Sequence, residues 1–431
     1  MKQPWRPTAA LVRAGLGSLA LALTAVLAGR SDLLVLATPL LVCTAGALQG
    51  RPKRAPRADT RLTHDSLREG EGTTVRATLT DSEDVEHVVV ALTPHRFVAT
   101  NPPGGACGRT LTCPSSPARV AVALVPLRWG IRLVGDGLVG AISPWAGFRW
   151  GPAEVYPKTL TTLPMPGHFD STAPAPHPIG LVGTNPARRT GDGTEFASIR
   201  PFNPGDRIRR VHWRVSLRTG TLHVTSTLTE EDSSILLVLD ALAEIGASGG
   251  INGPSSSLDV GVRAAGAVAD HYLHRGDRVG LRVLGTTRHS VVGTGAGKRH
   301  HRRILDTLAH VTPGAVRSVD SRRLQFGTSA GTTVIVFSPM LSDEAVNATL
   351  TLARRGLSVV VVDTVPEDVN PGDDDLRLRL AWRLRLVECE SLLRRVQSAG
   401  IPVVTWRGPG TLDEVLRKLG RRAAQPRLVR R

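Results

Sequence analysis

The stretch Ser234-Ile235-Leu236-Leu237-Val238-Leu239-Asp240 holds five apolar residues without a polar interruption and closes on a carboxylate. A run this short reads as a strand, and unbroken apolarity marks a strand covered on both faces, as in a parallel sheet flanked by helices. Downstream the pattern alternates. Helical spacing over residues 257–273, 298–310, 343–354, 375–399 and 412–419 is interleaved with strand-like runs at 279–284, 332–337, 358–363 and 402–405. That rhythm predicts an α/β domain with a mostly parallel sheet over residues 232–420. Ligands in open α/β sheets gather at the carboxyl ends of strands, which makes Asp240 a position to watch.

Upstream the rhythm changes. Short β-like runs at residues 72–79, 85–93, 119–125 and 131–138 are separated by Gly, Pro, Asp and Asn, and this spacing predicts a small β-sandwich over 61–163. Residues 164–190 are rich in Pro and Gly without a sustained apolar period and read as a linker. A distinctive segment over 191–231 joins that linker to the α/β domain, and a basic tail occupies 421–431.

The first 50 residues hold two apolar runs, at 8–29 and 33–48, the second interrupted by Pro39. Together they read as a transmembrane helical hairpin; a signal peptide followed by a core helix is the alternative. Lys2 and Arg6 precede the pair, Arg51, Lys53, Arg54 and Arg57 follow it in a basic linker over 51–60, and the turn carries Arg30 against Asp32. The positive-inside rule then places both ends, and the domains after them, on the cytoplasmic side of the cell membrane. Cys107 and Cys113 are spaced for a local disulfide, which would be at odds with that side.

The chain has 431 residues and a formal charge of +17, from 54 Lys and Arg against 37 Asp and Glu. Only five of the basic residues are Lys, so the charge is carried by Arg. An Arg bias also follows from a GC-rich coding sequence, and net charge alone does not argue for nucleic acid as the partner. A collagen, a wholly disordered chain and a small disulfide scaffold are excluded by length and composition.

Several short patterns fail on context. The run Gly293-Thr-Gly-Ala-Gly-Lys298 has Val292 where a phosphate-binding loop needs its first Gly and Arg299 where it needs a hydroxyl. Gly327-Thr-Ser329-Ala-Gly331 matches a nucleophile elbow, but the expected strand follows the Ser instead of preceding it. His271 and His274, beside Asp270, have helical metal-ligand spacing without evident further ligands, and His300 and His301 read as a solvated basic turn.

The most specific segment contains Glu195-Phe196, Arg200-Pro201-Phe202, Pro204-Gly205-Asp206-Arg207, Arg209-Arg210, Trp213-Arg214, Ser216 and Arg218. Pro204-Gly205 makes a turn, and Asp206 can cap a short helical run after it. One reading is a structural clamp, with Trp213 buried and Glu195 and Asp206 holding Arg residues in bidentate pairs. The other is an exposed Arg cluster that receives an acidic partner, phosphate or nucleic acid. Arg207, Arg210 and Arg214 are left open between the two.

This segment resembles the family called domain of unknown function 58, whose members carry Glu-Phe, an Arg-aromatic step, Pro-Gly-Asp, Arg-x-x-x-Trp and Ser-x-Arg. The likeness continues in Arg128-Trp129-Gly130, in Ser143-Pro144-Trp145-Ala146-Gly147-Phe148 and in Val155-Tyr156-Pro157, with Trp129 inserted and Ser143 in place of an Asp. The resemblance implies a membrane-anchored protein whose last domain is similar to a von Willebrand factor A domain, often paired with a MoxR-type AAA+ ATPase. Such domains hold magnesium through Asp-x-Ser-x-Ser after the first strand. Here the residues are Asp240-Ala241-Leu242-Ala243-Glu244, so both hydroxyls are missing and only a degenerate site at Asp240 and Glu244 is left.

The expectation is therefore a non-enzymatic, membrane-tethered interaction module without a cofactor, working with a MoxR-type ATPase in the assembly or maturation of other proteins. The alternative is a membrane-tethered protein that binds an anionic ligand or nucleic acid through its Arg cluster and tail.

Overall fold

The computed structural model describes residues 4–111, 117–165, 186–204, 206–230, 234–285, 291–314, 332–366 and 376–406. The chain divides into two compact units, residues 1–163 and 164–431. The α/β architecture expected from the sequence is present, with several sheets and two apolar helices at the N-terminus.

In the first unit, helices α1 (Ala9–Ala28) and α2 (Asp32–Gln49) form an antiparallel pair. Thr8 caps α1 by accepting from the Leu11 N–H at 3.2 Å, and Gly29 ends it at φ 65°, in the left-handed region where a side chain would be strained. Among the described residues these two are the helices long and apolar enough to cross a membrane. Leu16, Leu19, Leu23, Val26, Val35 and Leu36 are exposed, which separates the pair from ordinary core helices.

The strands of this unit are β1 (Arg6–Pro7), β2 (Arg57–Leu62), β3 (Ser66–Arg68), β4 (Thr73–Thr80), β5 (His87–Leu92), β6 (Val98–Asn101), β7 (Ala106–Thr110), β8 (Ala118–Pro126), β9 (Gly130–Val134), β10 (Gly137–Ile142), β11 (Phe148–Val155) and β12 (Lys158–Leu163). They form sheets ordered β1-β11-β10-β5-β7, β2-β4-β8-β6 and β3-β12-β9. Alternation does the work: β4 and β8 bury every second residue, and Val75, Ala77, Leu79, Val120, Val122 and Leu124 meet Val88, Val90, Val139 and Trp150 in one core. Two boundaries differ from the sequence reading. Strand β2 starts at Arg57, inside the stretch read as linker, and the single strand read at 131–138 is two strands, broken where Gly135 turns through φ 80°.

The second unit begins with the antiparallel pair β13 (Pro186–Pro201) and β14 (His223–Glu230), so strand structure starts within the stretch read as linker. Then β15 (Ser234–Asp240), β16 (Arg278–Leu284), β17 (Val291–Gly295), β18 (Thr333–Ser338), β19 (Ser358–Asp363) and β20 (Val403–Thr405) form one mixed sheet ordered β17-β16-β15-β18-β19-β20. All neighbours are parallel except β16 and β17. Helices α4 (Ser257–His274), α5 (Lys298–Ala309), α6 (Asp343–Arg354) and α7 (Leu376–Ser398) connect the strands, and the short α3 (Trp213–Thr219) lies before β14.

On one face Leu236, Val238, Val334, Val336, Val359 and Val361 pack with Val346 of α6 and Val396 of α7. The opposite face meets α4, where Gly261 lets the helix approach so closely that a Cβ there would stand 2.9 Å from Leu239. The chain crosses from one side of β15 to the other between β17 and β18, so the carboxyl ends of β15 and β18 flank the point where the connections diverge.

Candidate functional site

Two places in the second unit concentrate polar chemistry. The first is the segment joining β13 to β14. Asp206 sits on a turn and accepts both guanidinium nitrogens of Arg200, Nη1 to Oδ2 and Nη2 to Oδ1, each at 2.7 Å. Its Oδ2 also accepts the Asn203 N–H at 2.9 Å. The Arg200 hydrogen bond, then that backbone donor, hold the Asp206 carboxyl below the usual carboxylate range, while Asp206 raises Arg200. This half of the clamp exists, but Asp206 closes the turn behind it and does not cap the run ahead. Helix α3 is capped by His212, whose Nδ1 accepts from the Val215 N–H at 3.3 Å. Gly205 and the side chain of Glu195 lie outside the described residues.

Helix α3 is tied to β14 by Ser216, whose hydroxyl accepts the His223 N–H at 2.9 Å and donates to the His212 carbonyl at 3.0 Å. With Ser216 on the inward face, residues four apart on the other side point outward. Trp213 is 59% exposed and Leu217 82% exposed, and Ile208 in the preceding 3-10 turn (Ile208–Arg210) is 74% exposed. Burial of Trp213 in a clamp is thus corrected: seven residues make two turns, and the inner face is already taken. Trp213 instead lines a hollow of about 360 Å³ with Arg209, Arg210, Val211, His212, Arg214 and Thr225. Arg207 and Arg218 are exposed nearby, and Arg209, Arg214 and Arg218 have no ion-pair partner among the described residues.

The second place is the carboxyl edge of the sheet. Asp240, buried at the end of β15, accepts the Ser338 hydroxyl at 2.6 Å and the Leu242 N–H at 3.0 Å. Burial pushes its carboxyl up, against the lowering by those two donors. Asp363, at the end of β19, is likewise raised by burial and accepts the Val365 N–H at 3.0 Å. The Cys389 thiol on α7 donates to the Pro339 carbonyl at 2.7 Å and is pushed up to about 12, by burial first and by Asp363 second.

The magnesium that a von Willebrand-type site would hold does not fit these residues. Ala241 and Ala243 offer no side-chain oxygen, and both carboxylate oxygens of Asp240 already accept hydrogen bonds. Among the described residues no group of three or more His, Cys, Asp and Glu side chains is arranged to hold a metal. Ser338 and Asp363 carry in the sequence the same signal as Asp240, a polar residue closing an apolar strand.

The remaining candidates have structural roles or fall elsewhere. Gly293 and Gly295 lie inside the antiparallel strand β17, which leaves only Ala296 and Gly297 before α5, too short a loop to wrap a phosphate. His300 lies part-buried on α5 and not in a solvated turn, its Nε2 2.7 Å from the Val279 carbonyl oxygen. His301 is also sheltered, 3.3 Å from Asp270, whose same oxygen lies 3.2 Å from His274. Ser329, Cys113 and the helix expected at 412–419 lie outside the described residues.

Among known proteins, three curated relatives are each 28% identical over 129 residues, which is 30% of this chain and 40% of theirs: uncharacterized proteins of Mycobacterium bovis and of two Mycobacterium tuberculosis strains. The matched region thus spans well under half the length of those relatives. Among solved structures, the cupredoxin domain of amoB from Nitrosocaldus yellowstonii matches 26% of this chain and 88% of its own at 12% identity, with a TM-score of 0.17. The family described as Protein of unknown function DUF58 matches residues 198–379, a span that starts inside β13, takes in the Arg200–Asp206 clamp and α3, and runs into α7.

Proposed function

We propose that this chain is a membrane-anchored interaction protein that presents Ile208, Trp213 and Leu217, rimmed by Arg209, Arg214 and Arg218, to an acidic partner. The observation that carries the reading is the exposure of these three apolar side chains within a basic segment tied down by the Arg200–Asp206 pair and by the Ser216 bonds to His212 and His223. Interface anchors are typically large aromatics ringed by Arg, fixed before binding so that little ordering is required. The partner proposed is a MoxR-type AAA+ ATPase, and the process the assembly or maturation of other proteins. No catalytic step is assigned to the chain.

A von Willebrand A-like domain is supported by the six-stranded order β17-β16-β15-β18-β19-β20 with its antiparallel β17. Membrane anchoring is supported by the exposed apolar faces of α1 and α2, and a cytoplasmic side for both units by the basic residues at the two ends of the pair.

The test is binding of the MoxR-type ATPase from the same genome to the full chain in detergent, wild type against Trp213→Ala. The expected result is loss of binding by at least about tenfold with an unchanged melting midpoint. Equal affinity in the two proteins would overturn this docking surface. The Arg-lined hollow favours a second reading, an anionic ligand or nucleic acid as the partner. Binding that falls steeply and linearly in log affinity against log salt, and is indifferent to Trp213→Ala, would favour it.

A further inference from the structure

The corner between β10 and β11, Ser143-Pro144-Trp145-Ala146-Gly147-Phe148, is locked onto the ends of both N-terminal helices. Thr8, the cap of α1, donates its N–H to the Gly147 carbonyl at 2.9 Å and its hydroxyl to the Ala146 carbonyl at 2.6 Å. At the other helix a Cβ on Gly147 would stand 2.6 Å from the Ala47 Cβ, and one on Gly46 would stand 3.0 Å from the Trp145 ring. Trp145 and Ala146 both take positive φ, 62° and 50°, a region that side-chain-bearing residues rarely adopt. The result is an indole laid along the last turn of α2, yet 58% exposed.

The level of that indole is fixed by arithmetic. Gly46 precedes the end of α2 by three residues, about 4.5 Å along the axis, and the 18 residues of α2 span about 27 Å, close to the roughly 30 Å of a hydrocarbon core. With α2 crossing a bilayer, that length puts Trp145 at the boundary between acyl chains and headgroups, where tryptophan is enriched. Beside it β1 pairs with β11 so that Arg6 stands directly opposite Arg149, both exposed. Like charges directly opposite one another are destabilising unless an anion sits between them.

We infer that this corner is a lipid-contacting surface, with the Trp145 indole in the headgroup boundary and Arg6 and Arg149 flanking the phosphate of an anionic phospholipid. The inference rests on the reading of α1 and α2 as membrane spans, and it makes the β-domain a body held on the bilayer surface, not one trailing from a tether.

The experiment uses the full chain in phosphatidylcholine vesicles, with and without one-third phosphatidylglycerol, prepared with acyl chains brominated near the headgroup. Tryptophan emission is compared between wild type and Trp145→Phe, with Trp145→Tyr serving where the Phe variant is poorly recovered. The emission lost on substitution is expected to be quenched by the brominated lipid at least twofold more than by aqueous acrylamide, and more strongly with phosphatidylglycerol present. Arg149→Gln is expected to remove that lipid dependence. A difference signal quenched by acrylamide alone, in protein that resists alkaline carbonate extraction, overturns the inference while leaving the spans intact. Equal quenching in both lipid mixtures overturns the anionic component. Extraction of the protein by carbonate overturns the membrane reading and this inference with it.

Discussion

The Ser338 hydroxyl and the Asp240 carboxylate meet at 2.6 Å across the carboxyl ends of two neighbouring parallel strands. Asp240 is deeply buried, and its carboxyl is raised by that burial. The sign follows: between the unfolded carboxylate value and the raised folded one the native state binds more protons, so this group's contribution falls as pH rises through that window. The Asp240→Asn variant should lose this dependence, since its amide can accept from the Leu242 N–H and donate to Ser338. Melts of wild type and variant from pH 4 to 8 should diverge in the variant's favour as pH rises; parallel curves would reject the assignment. Ser338→Ala should cost about 1–3 kcal/mol, because it strips a donor from a buried acceptor.

Asp206 carries the opposite signature in the same unit. Its carboxyl is lowered by Arg200, so its contribution is present above the unfolded value and fades as pH falls through the folded one. Hydrogen exchange of the Asn203 amide should accelerate, relative to its intrinsic rate, as pH drops below about 4. In Asp206→Asn that protection should already be reduced at neutral pH.

Stability and exposure should part company along α3. Trp213→Ala, on the outward face, is expected to change unfolding free energy by less than about 1 kcal/mol. Ser216→Ala, which releases the His223 N–H, should cost about 1–3 kcal/mol. Denaturant titrations of the two variants give the comparison, and a Trp213→Ala cost near 3 kcal/mol would restore a buried role.

Magnesium at millimolar concentration should leave the melting midpoint within about 1 °C of its value in chelator, since stabilisation follows occupancy. An upward shift that disappears in Asp240→Ala would reveal a working ion site.

The Cys389 thiol, pushed up to about 12, should resist alkylation at pH 8 in the folded chain, where its thiolate fraction is about one in ten thousand. Mass spectrometry after maleimide treatment, with and without denaturant, reads this directly. Modification of Cys389 in native protein at the rate of an exposed thiol would contradict its burial.

Legibility in the sequence followed local signals. Helix α6 and strand β19 were readable to the residue because Ser342 caps the one, Asp343 and Glu344 fill its first turn, and four successive valines make the other. Strand β17 was hidden because Gly293 and Gly295 give it no β-forming pattern and mimic a phosphate loop; pairing with β16 supplies what propensity lacks. Residues 131–138 read as one strand only by passing over Gly135-Asp136-Gly137, a turn signal the sequence does carry, and the chain breaks there with Gly135 at φ 80°. The outward face of Trp213 was not visible because nothing in its neighbours announces that Ser216 takes the inner side. At the sheet edge Asp240 stood out, but its pairing with Ser338 joins residues far apart in sequence and belongs to topology.

The two margins of the six-stranded sheet set a rule for what can attach there. Strand β20 is three residues long, and β17 is a five-residue, glycine-bearing strand running against its neighbour. Neither described margin presents a long flat ladder of unpaired amides, so an incoming extended segment finds no template on which to lengthen the sheet. Capture by strand donation, and the polymerisation that follows when copies donate to one another, are both disfavoured. At these two margins the described residues offer an incoming partner side chains on helices and turns in place of a strand edge.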